Sequence, residues 1–358
     1  MECVHVVRTR TSLIGYFFRP IGASGGKRET LFAYFCMDVV VPSSAPTTPV
    51  AHSKTTQFSF LAQQVLGYGA CGKVELGVLH VDGSFTSVAV KTCEGYEARV
   101  ELRVLAVCRH VFIVKLLGYA KQNDRVHLFL EPCCGGDLYF RVHFGAPRDK
   151  CTGAEWAAHA RFYLAEVVCA LAYLHARGIA HGDVKAENVL IDAHGHVQLA
   201  DFGSAVKFTK RGGIICGSRG SELQHAPEMV SKLHFSLATE IWSLGCLAFE
   251  LVTRTRPQPF TTCASHANML SLLFAHTDDT VAANFVSTLL QVDASARPVI
   301  EDVKRHAFFS GIEWGVVEQR TLPVPWVPSA NVINVEQDIV DMALTGVDAS
   351  CNLVYAAV

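Results

Sequence analysis

The sequence carries almost no excess of charge and no long apolar run. Its 31 Lys and Arg nearly balance 33 Asp and Glu, a formal net charge of −2. A nucleic-acid binder usually shows a basic patch on a basic chain, so no nucleic-acid partner is expected. No apolar run approaches the ~20 residues that cross a bilayer. The best candidate, residues 31–41, is shorter and is interrupted by Asp38, so no membrane span is expected. Paired Cys-x-x-Cys spacings are also missing. The 13 cysteines are scattered singly apart from Cys133-Cys134, which argues against a zinc ribbon. An odd count in a chain this long argues against a disulfide framework, and buried free thiols in a reducing, cytoplasmic compartment are expected instead. Near the N-terminus, Arg8, Arg10 and Arg19 lie among apolar residues, but Glu2 and the lack of a clean apolar block argue against a targeting peptide.

What is there is core material and punctuation. Half of the 358 residues are hydrophobic and 18% are charged, the composition of a large globular domain. Residues 22–26 are glycine-rich and residues 42–49 are rich in Pro, Ser and Thr, so the first 57 residues read as a flexible extension and linker. From Phe58 the texture changes. Residues 74–79 and 85–92 are β-branched runs around Asp82-Gly83, a hairpin signal. Residues 96–107 have helical spacing, and residues 115–119 and 126–130 read as two more strands. A small antiparallel sheet with one helix is expected. The rest reads as mostly helical. Residues 157–175 form an amphipathic helix that stops at Gly178. Two short strands, 189–191 and 197–199, flank a turn. Residues 240–252 are apolar nearly all round and so read as a buried helix. Residues 285–290 and 300–306 read as further helices.

Five sites carry chemistry. In Gly67-Tyr68-Gly69-Ala70-Cys71-Gly72-Lys73-Val74 the glycines let backbone N–H groups approach phosphates. A dinucleotide fingerprint follows a strand and opens a helix, whereas these glycines lie between two strand-like runs, so a β-turn lid is expected. Lys91 ends the apolar run Val88-Ala89-Val90. Glu97 and Glu101 on the next helix are candidate partners, and Glu101 shares the inward-tending face with Leu105. A Lys91–Glu101 pair would hold the ammonium toward α- and β-phosphates. His181-Gly182-Asp183-Val184-Lys185-Ala186-Glu187-Asn188 places an acid, a base and an amide within one short segment. Asp183 can accept a proton from a hydroxyl, Lys185 can neutralise a phosphoryl group, and Asn188 can offer an amide oxygen to a metal ion. Asp201 of Asp201-Phe202-Gly203 follows a strand and, with Asn188, makes a hard-oxygen site suited to Mg2+. Glu228 of Ala226-Pro227-Glu228 and Arg297 form a candidate buried ion pair.

In this order and spacing the five sites resemble the eukaryotic protein kinase family, over residues 58–309. Lys185 gives the loop the look of a Ser/Thr kinase. Ala160-Arg161-Phe162-Tyr163-Leu164-Ala165-Glu166, Cys216-Gly217-Ser218 and His306-Ala307-Phe308-Phe309 are most similar to the cyclic-nucleotide-dependent and related AGC kinases. Pro323-Val324-Pro325-Trp326-Val327-Pro328 resembles that group's C-terminal tail, which returns over the small lobe, so residues 310–358 read as a tail. The resemblance implies an α+β, two-lobed fold with a small antiparallel sheet lobe and a larger helical lobe. It implies an ATP- and Mg2+-dependent Ser/Thr protein kinase. It also implies Leu130 at the gatekeeper position, Glu131 and Cys133 on the adenine, and Asp137 on the ribose. Ala89 and Leu190 would sandwich the ring beneath Val74. Leu105, Leu116, His181 and Phe202 would stack as one column. The alternatives are a pseudokinase that binds or scaffolds and a kinase of small molecules or lipids. The intact Lys91, Asp183 and Asp201 disfavour the first, and Ala226-Pro227-Glu228 disfavours the second.

The sequence departs from the family in several places. Gly182 replaces the usual arginine of the catalytic loop. Ile214 occupies the usual activation-segment phosphosite, so both halves of that charge-assisted pair are missing. Control without phosphate at that position is expected, with Thr209 as an alternative acceptor. Glu240 replaces the usual Asp of the buried helix, a strain that the small Gly182 can ease. The stretch between Ser218 and Ala226 is about three residues longer than the pattern, and the link from Lys91 to Glu101 is shorter. Asp137, Glu187 and Glu250 stand where basophilic kinases hold acids, which implies either a protein substrate that is basic around its acceptor or buried or solvated structural carboxylates, since Glu187 and Glu250 are common in kinases of other preferences. No cyclic-nucleotide or lipid-binding domain is evident, so a regulatory partner is expected on a separate chain, if there is one.

Overall fold

A computed structural model describes residues 58–328 apart from 70–71, 82–83, 123, 146–151, 210–212 and 218, together with the short strands Val7–Arg8, Ile14–Gly15, Asp38–Val40 and Val354–Ala357. The expected linker stretches 22–26 and 42–49 lie outside the described residues. The chain forms two compact units. The first comprises Met1–Glu94, Leu116–Glu131 and Glu336–Val358, and the second Gly95–Lys115 and Pro132–Val335.

The first unit is the expected antiparallel sheet. Its strands β1 (Phe58–Gly69), β2 (Gly72–Val81), β3 (Ser84–Glu94), β4 (Leu116–Gln122) and β5 (Arg125–Leu130) lie in the order β4-β5-β3-β2-β1. Val354–Ala357 extends the sheet antiparallel to β4, and Asp38–Val40 pairs parallel to Val354–Ala357. Val81 pairs with Ser84, so the expected β2–β3 hairpin forms, and Gln122 pairs with Arg125 at the near end of the β4–β5 ladder. Strand alternation sorts β3 into two faces. Val88 and Val90 are buried with Phe60, Leu79, Ala120 and Phe129 in one cluster, which leaves Ala89 and Lys91 to the opposite face.

The second unit is mainly helical. It begins with α1 (Gly95–Val107), expected beside the sheet but grouped here because it packs on the turn Phe202–Ser204. Then come α2 (Leu138–His143) and α3 (Gly153–Ala176). The first turn of α3 closes with a capping box, in which the Thr152 hydroxyl accepts from the Glu155 N–H and the Glu155 carboxylate from the Thr152 N–H. Gly178, at φ +66°, ends it as expected. By length and composition α3 could cross a membrane, but most of it is buried inside this unit. The strands β6 (Ile179–Ala180), β7 (Val189–Ile191), β8 (Val197–Leu199) and β9 (Val206–Lys207) form two antiparallel pairs, β7 with β8 and β6 with β9. Downstream lie β10 (Ile215–Cys216), α4 (Pro227–Lys232), β11 (His234–Phe235), α5 (Leu237–Thr253), α6 (Cys263–His276), α7 (Thr280–Leu289), α8 (Ile300–Val303) and α9 (Trp314–Glu318). The helix expected over 300–306 is cut short because the His306 ring accepts from the Phe308 N–H and starts a new turn, Ala307–Phe309.

Trp242, Phe249, Phe285 and Phe308, all fully buried, form much of the core around α5 and α7. The segment after α9 is fastened to this unit. Arg320 ion-pairs with Asp192, and a Cβ at Gly195 would stand 2.2 Å from the Trp326 carbonyl oxygen. The buried Arg141 guanidinium lies 4.9 Å from the Trp326 ring and 5.8 Å from the Trp156 ring.

Glu228 and Arg297 meet as expected. Both guanidinium Nη atoms donate to the carboxylate at 2.7 Å, and the Arg297 side chain has no exposed surface. Thr239 also donates to Glu228, and Arg297 reaches the Ala238 and Gln291 carbonyls. Burial alone would raise the Glu228 carboxyl, but Arg297 holds it below its ordinary value. Arg297→Ala is therefore expected to cost about 3–5 kcal/mol in chemical denaturation at neutral pH, because it strands a buried charge. Since the folded carboxyl is depressed, its contribution is complete above the unfolded value of 4.5 and is lost as pH falls through the lower folded value. The difference between variant and wild type should shrink below pH 4.5.

Candidate active site

In the first unit, the glycines expected to cradle phosphates have two separate reasons to be glycine. Gly69 pairs with Gly72 at the end of the β1–β2 ladder. Gly72 has φ +138°, and a Cβ there would lie 1.9 Å from the Thr92 carbonyl oxygen, so β3 forbids any side chain. A Cβ at Gly67 would meet nothing within 4 Å, which leaves open space beside the backbone. Ala70 and Cys71 lie outside the described residues. Val74 stands opposite Lys91, and Ala89 opposite Leu130, so these residues share one face of the sheet. Lys91 is only 7% exposed. Glu131 follows β5 directly.

In the second unit, Glu101 is buried on α1. Residues 135–137 run beside β7: the Gly135 N–H donates to the Ile191 carbonyl, the Ile191 N–H to the Gly136 carbonyl, and Asp137 bridges Leu190. Cys133 lies half-buried just ahead of them. The Asp137 carboxylate caps α2 by accepting from the Phe140 N–H at 2.7 Å.

The segment 181–188 converges on Asp183. Its Oδ1 accepts from the Ser221 N–H at 2.8 Å. Its Oδ2 accepts from Asn188 Nδ2 at 3.0 Å and lies 2.9 Å from Lys185 Nζ. The Lys185 ammonium also donates to the Ser221 hydroxyl at 2.5 Å. Burial alone would raise the Asp183 carboxyl, but Lys185 overcomes it and holds the group below its ordinary value. Asp183 is therefore an ionised acceptor at neutral pH, with its base character limited by the neighbouring ammonium.

Asn188 spends its amide nitrogen on Asp183, which leaves its oxygen as an acceptor. The β7–β8 ladder runs on past Val189 and Leu199, where the Ala200 N–H donates to the Asn188 carbonyl at 2.9 Å. Asp201 follows at once, at φ +63°, its carboxylate accepting from the Gly203 N–H. Two hard oxygen donors thus sit at adjacent strand ends. That donor set fits Mg2+, which binds one or two protein oxygens and completes its shell with phosphates and water. Among the described residues no cluster of three His, Cys, Asp or Glu could hold a metal ion by itself.

His181 is fully buried, its ring 4.6 Å from that of Phe202, and its Nε2 bonds the Ala200 carbonyl. Leu105 and Leu116, the other members of the expected column, are buried as well. Sequence reasoning missed Ser221 and Gly220. A Cβ at Gly220 would lie 2.4 Å from the Gly182 carbonyl oxygen and 2.9 Å from Asp183 Oδ1, so only glycine lets this strand reach the loop. The dipeptide Gly220-Ser221 in a segment otherwise read only as overlong was the available signal.

The family described as protein kinase domain matches residues 60–309. The chain belongs to the protein kinase family. Among curated relatives, it is 31% identical over 297 residues to 3-phosphoinositide-dependent protein kinase B of Dictyostelium discoideum, covering 78% of this chain and 31% of that protein. It is 33% identical over 239 residues to the cAMP-dependent protein kinase catalytic subunit PRKX of Mus musculus, covering 64% of each. It is 30% identical over 305 residues to serine/threonine-protein kinase Sgk1-B of Xenopus laevis, covering 81% and 67%. These relatives agree with the AGC resemblance. The chain spans less than two thirds of the length of the first two.

The kinase domain's departures at 182 and 240 are one structural feature. Gly182 has φ +85°, and a Cβ there would lie 2.3 Å from the Ser204 carbonyl oxygen, so this backbone excludes the family's arginine. The Gly182 N–H donates to Glu240 Oε1 at 2.8 Å, and His175 Nε2 lies 2.6 Å from Glu240 Oε2. Burial alone would raise the Glu240 carboxyl, but His175, His181 and the Gly182 N–H together hold it below its ordinary value.

Two outcomes follow for the catalytic loop. Gly182→Arg should lower stability by about 1–3 kcal/mol from backbone strain alone, before the clash with Ser204 is counted, in thermal or denaturant unfolding; equal stability would overturn the geometry. Lys185→Met should cut kcat on the order of 100-fold and move the acid limb of its pH profile upward, because the ammonium that most opposes burial at Asp183 is gone.

Proposed function

We propose that this chain is an ATP- and Mg2+-dependent Ser/Thr protein kinase, and the convergence of Lys185, Asn188 and Ser221 on the Asp183 carboxylate carries the reading. Asp183 orients the substrate hydroxyl and takes its proton. The hydroxyl oxygen bonds the γ-phosphorus as the bond to the β,γ-bridging oxygen breaks, and that electron pair leaves with ADP. Lys185, held between Asp183 and Ser221, offsets charge on the transferring group. Lys91 holds the α- and β-phosphates, with Glu101 as its partner on α1. Gly67, Gly69 and Gly72 present backbone to the phosphates. Val74, Ala89 and Leu190 cover the adenine faces, Glu131 and Cys133 offer it backbone groups, and Asp137 takes the ribose. Asn188 and Asp201 hold Mg2+, which when bound supplies positive charge to the phosphate oxygens.

The substrate is a protein segment that is basic around its acceptor, a reading supported by Glu187, which is partly exposed on the turn that carries Asn188. Phosphate at position 214 does not switch the enzyme. In support, Ile214 is exposed and cannot accept phosphate, and the Gly182 backbone leaves no room for a phosphate-binding arginine. Cys108, Cys169 and Cys246 are buried free thiols, which supports a reducing, cytoplasmic setting.

The test is transfer of labelled γ-phosphate from Mg-ATP to a peptide panel, with Asp183→Asn and Lys91→Met as controls. Wild-type transfer should exceed both by on the order of 100-fold or more, and phosphatase treatment should leave it unchanged. Equal transfer in all three proteins would leave a pseudokinase.

A further inference from the structure

Of the three carboxylates assigned to a basic substrate, two are engaged inside the fold. Glu250 has no exposed surface and pairs with His143 at 2.8 Å, and Asp137 caps α2. Glu187 differs. It lies on the turn Ala186–Asn188, directly beside Asn188, and is 30% exposed. A basic side chain bound there is within short reach of the hydroxyl acceptor at Asp183. Yet the chain already supplies that cation. Arg256 Nη2 meets Glu187 Oε1 at 2.5 Å. Arg254, in the left-handed conformation at φ +54°, ends α5 and turns the chain toward this position, and Pro257 follows Arg256.

We propose that Arg256 is a specificity-determining residue: its guanidinium occupies in cis the Glu187 carboxylate that would otherwise bind a basic side chain of the substrate, so a substrate arginine must displace it. The inference rests on the basic-substrate reading above and adds a competitor to it.

Three observations make the pair displaceable. It rests on one nitrogen–oxygen contact, and Glu187 Oε2, covered while Arg256 is in place, is left with no hydrogen-bond partner among the described residues. A bidentate fork, the strong form of arginine–carboxylate pairing, is therefore not made. Both side chains are partly exposed, 38% for Arg256 and 30% for Glu187, so water and salt weaken their attraction. The Arg256 guanidinium also lies 4.5 Å from the centre of the Tyr139 ring, a second favourable place that it keeps when the carboxylate is taken. An incoming arginine that makes the fork to both Glu187 oxygens outcompetes a single-contact occupant, but its gain is reduced by the contact it breaks.

The test measures kcat/KM on peptide pairs that differ only by Arg or Ala, two or three residues before the acceptor. It compares wild type, Arg256→Ala, Arg256→Gln and the double variant Arg256→Ala with Glu187→Gln. The Arg/Ala ratio should rise about fivefold in both single Arg256 variants, the scale of one exposed ion pair, and fall back in the double variant. A wild-type ratio above one that neither Arg256 variant raises overturns this inference and leaves the basic-substrate reading standing. A ratio of one in all four proteins overturns that reading and this inference with it. Loss of kcat on both peptides alike in the Arg256 variants shows a purely structural residue and also overturns the inference.

Discussion

Glu240 is a carboxylate with no contact with water, and its two oxygens tie together the parts of the helical unit on which the chemistry depends. One oxygen receives the Gly182 N–H and the other lies against the His175 ring at the end of α3. Burying a charge this completely is costly unless it is paired and each oxygen is hydrogen-bonded. The fold meets that requirement by bringing the first turn of α5, the last turn of α3 and the backbone of the catalytic loop to one point. The loop's left-handed residue sits at the same anchor: Gly182 donates its N–H to Glu240, and a Cβ on its backbone would meet the Ser204 carbonyl.

From that anchor the loop runs outward to a second, smaller set of half-buried charges. Asp183, Lys185 and Ser221 bridge the loop to the segment before α4, and Gly220 lets the two backbones approach. That segment is held at its far end by the Glu228–Arg297 pair, and an apolar cluster of Ala180, Val206, Phe208, Met229 and Phe235 lies beside it. Positioning here comes from packing and ion pairs within the helical unit.

Much of this was legible along the chain. The β7–β8 strands were readable to the residue, because β-branched runs flank an Asp-x-x-Gly turn. The β2–β3 hairpin and the buried α5 followed from β-branched runs around Asp82-Gly83 and from an apolar run with no polar face. The Glu228–Arg297 pair was readable because both residues sit in motifs of fixed spacing. Less was legible where local sequence is neutral. The helices α2, α4 and α6 are short or carry small polar residues at their starts, and capping by Asp137 and Thr262 starts two of them. The grouping of α1 with the helical unit also escaped the sequence, since chain order places it amid the strands.

The residue types and spacings alone determined the family, the sheet and the identity of the loop that carries Asp183, because each motif is local and its chemistry needs its members close in the chain. Only the tertiary structure decided what each carboxylate meets. Sequence placed Asp137, Glu187 and Glu250 together as acids for a substrate, whereas folding buried Glu250 on His143, spent Asp137 on a helix cap and set Arg256 against Glu187. The reason is physical. A charge is free or engaged according to the groups that packing brings beside it, and those groups come from positions far away in sequence.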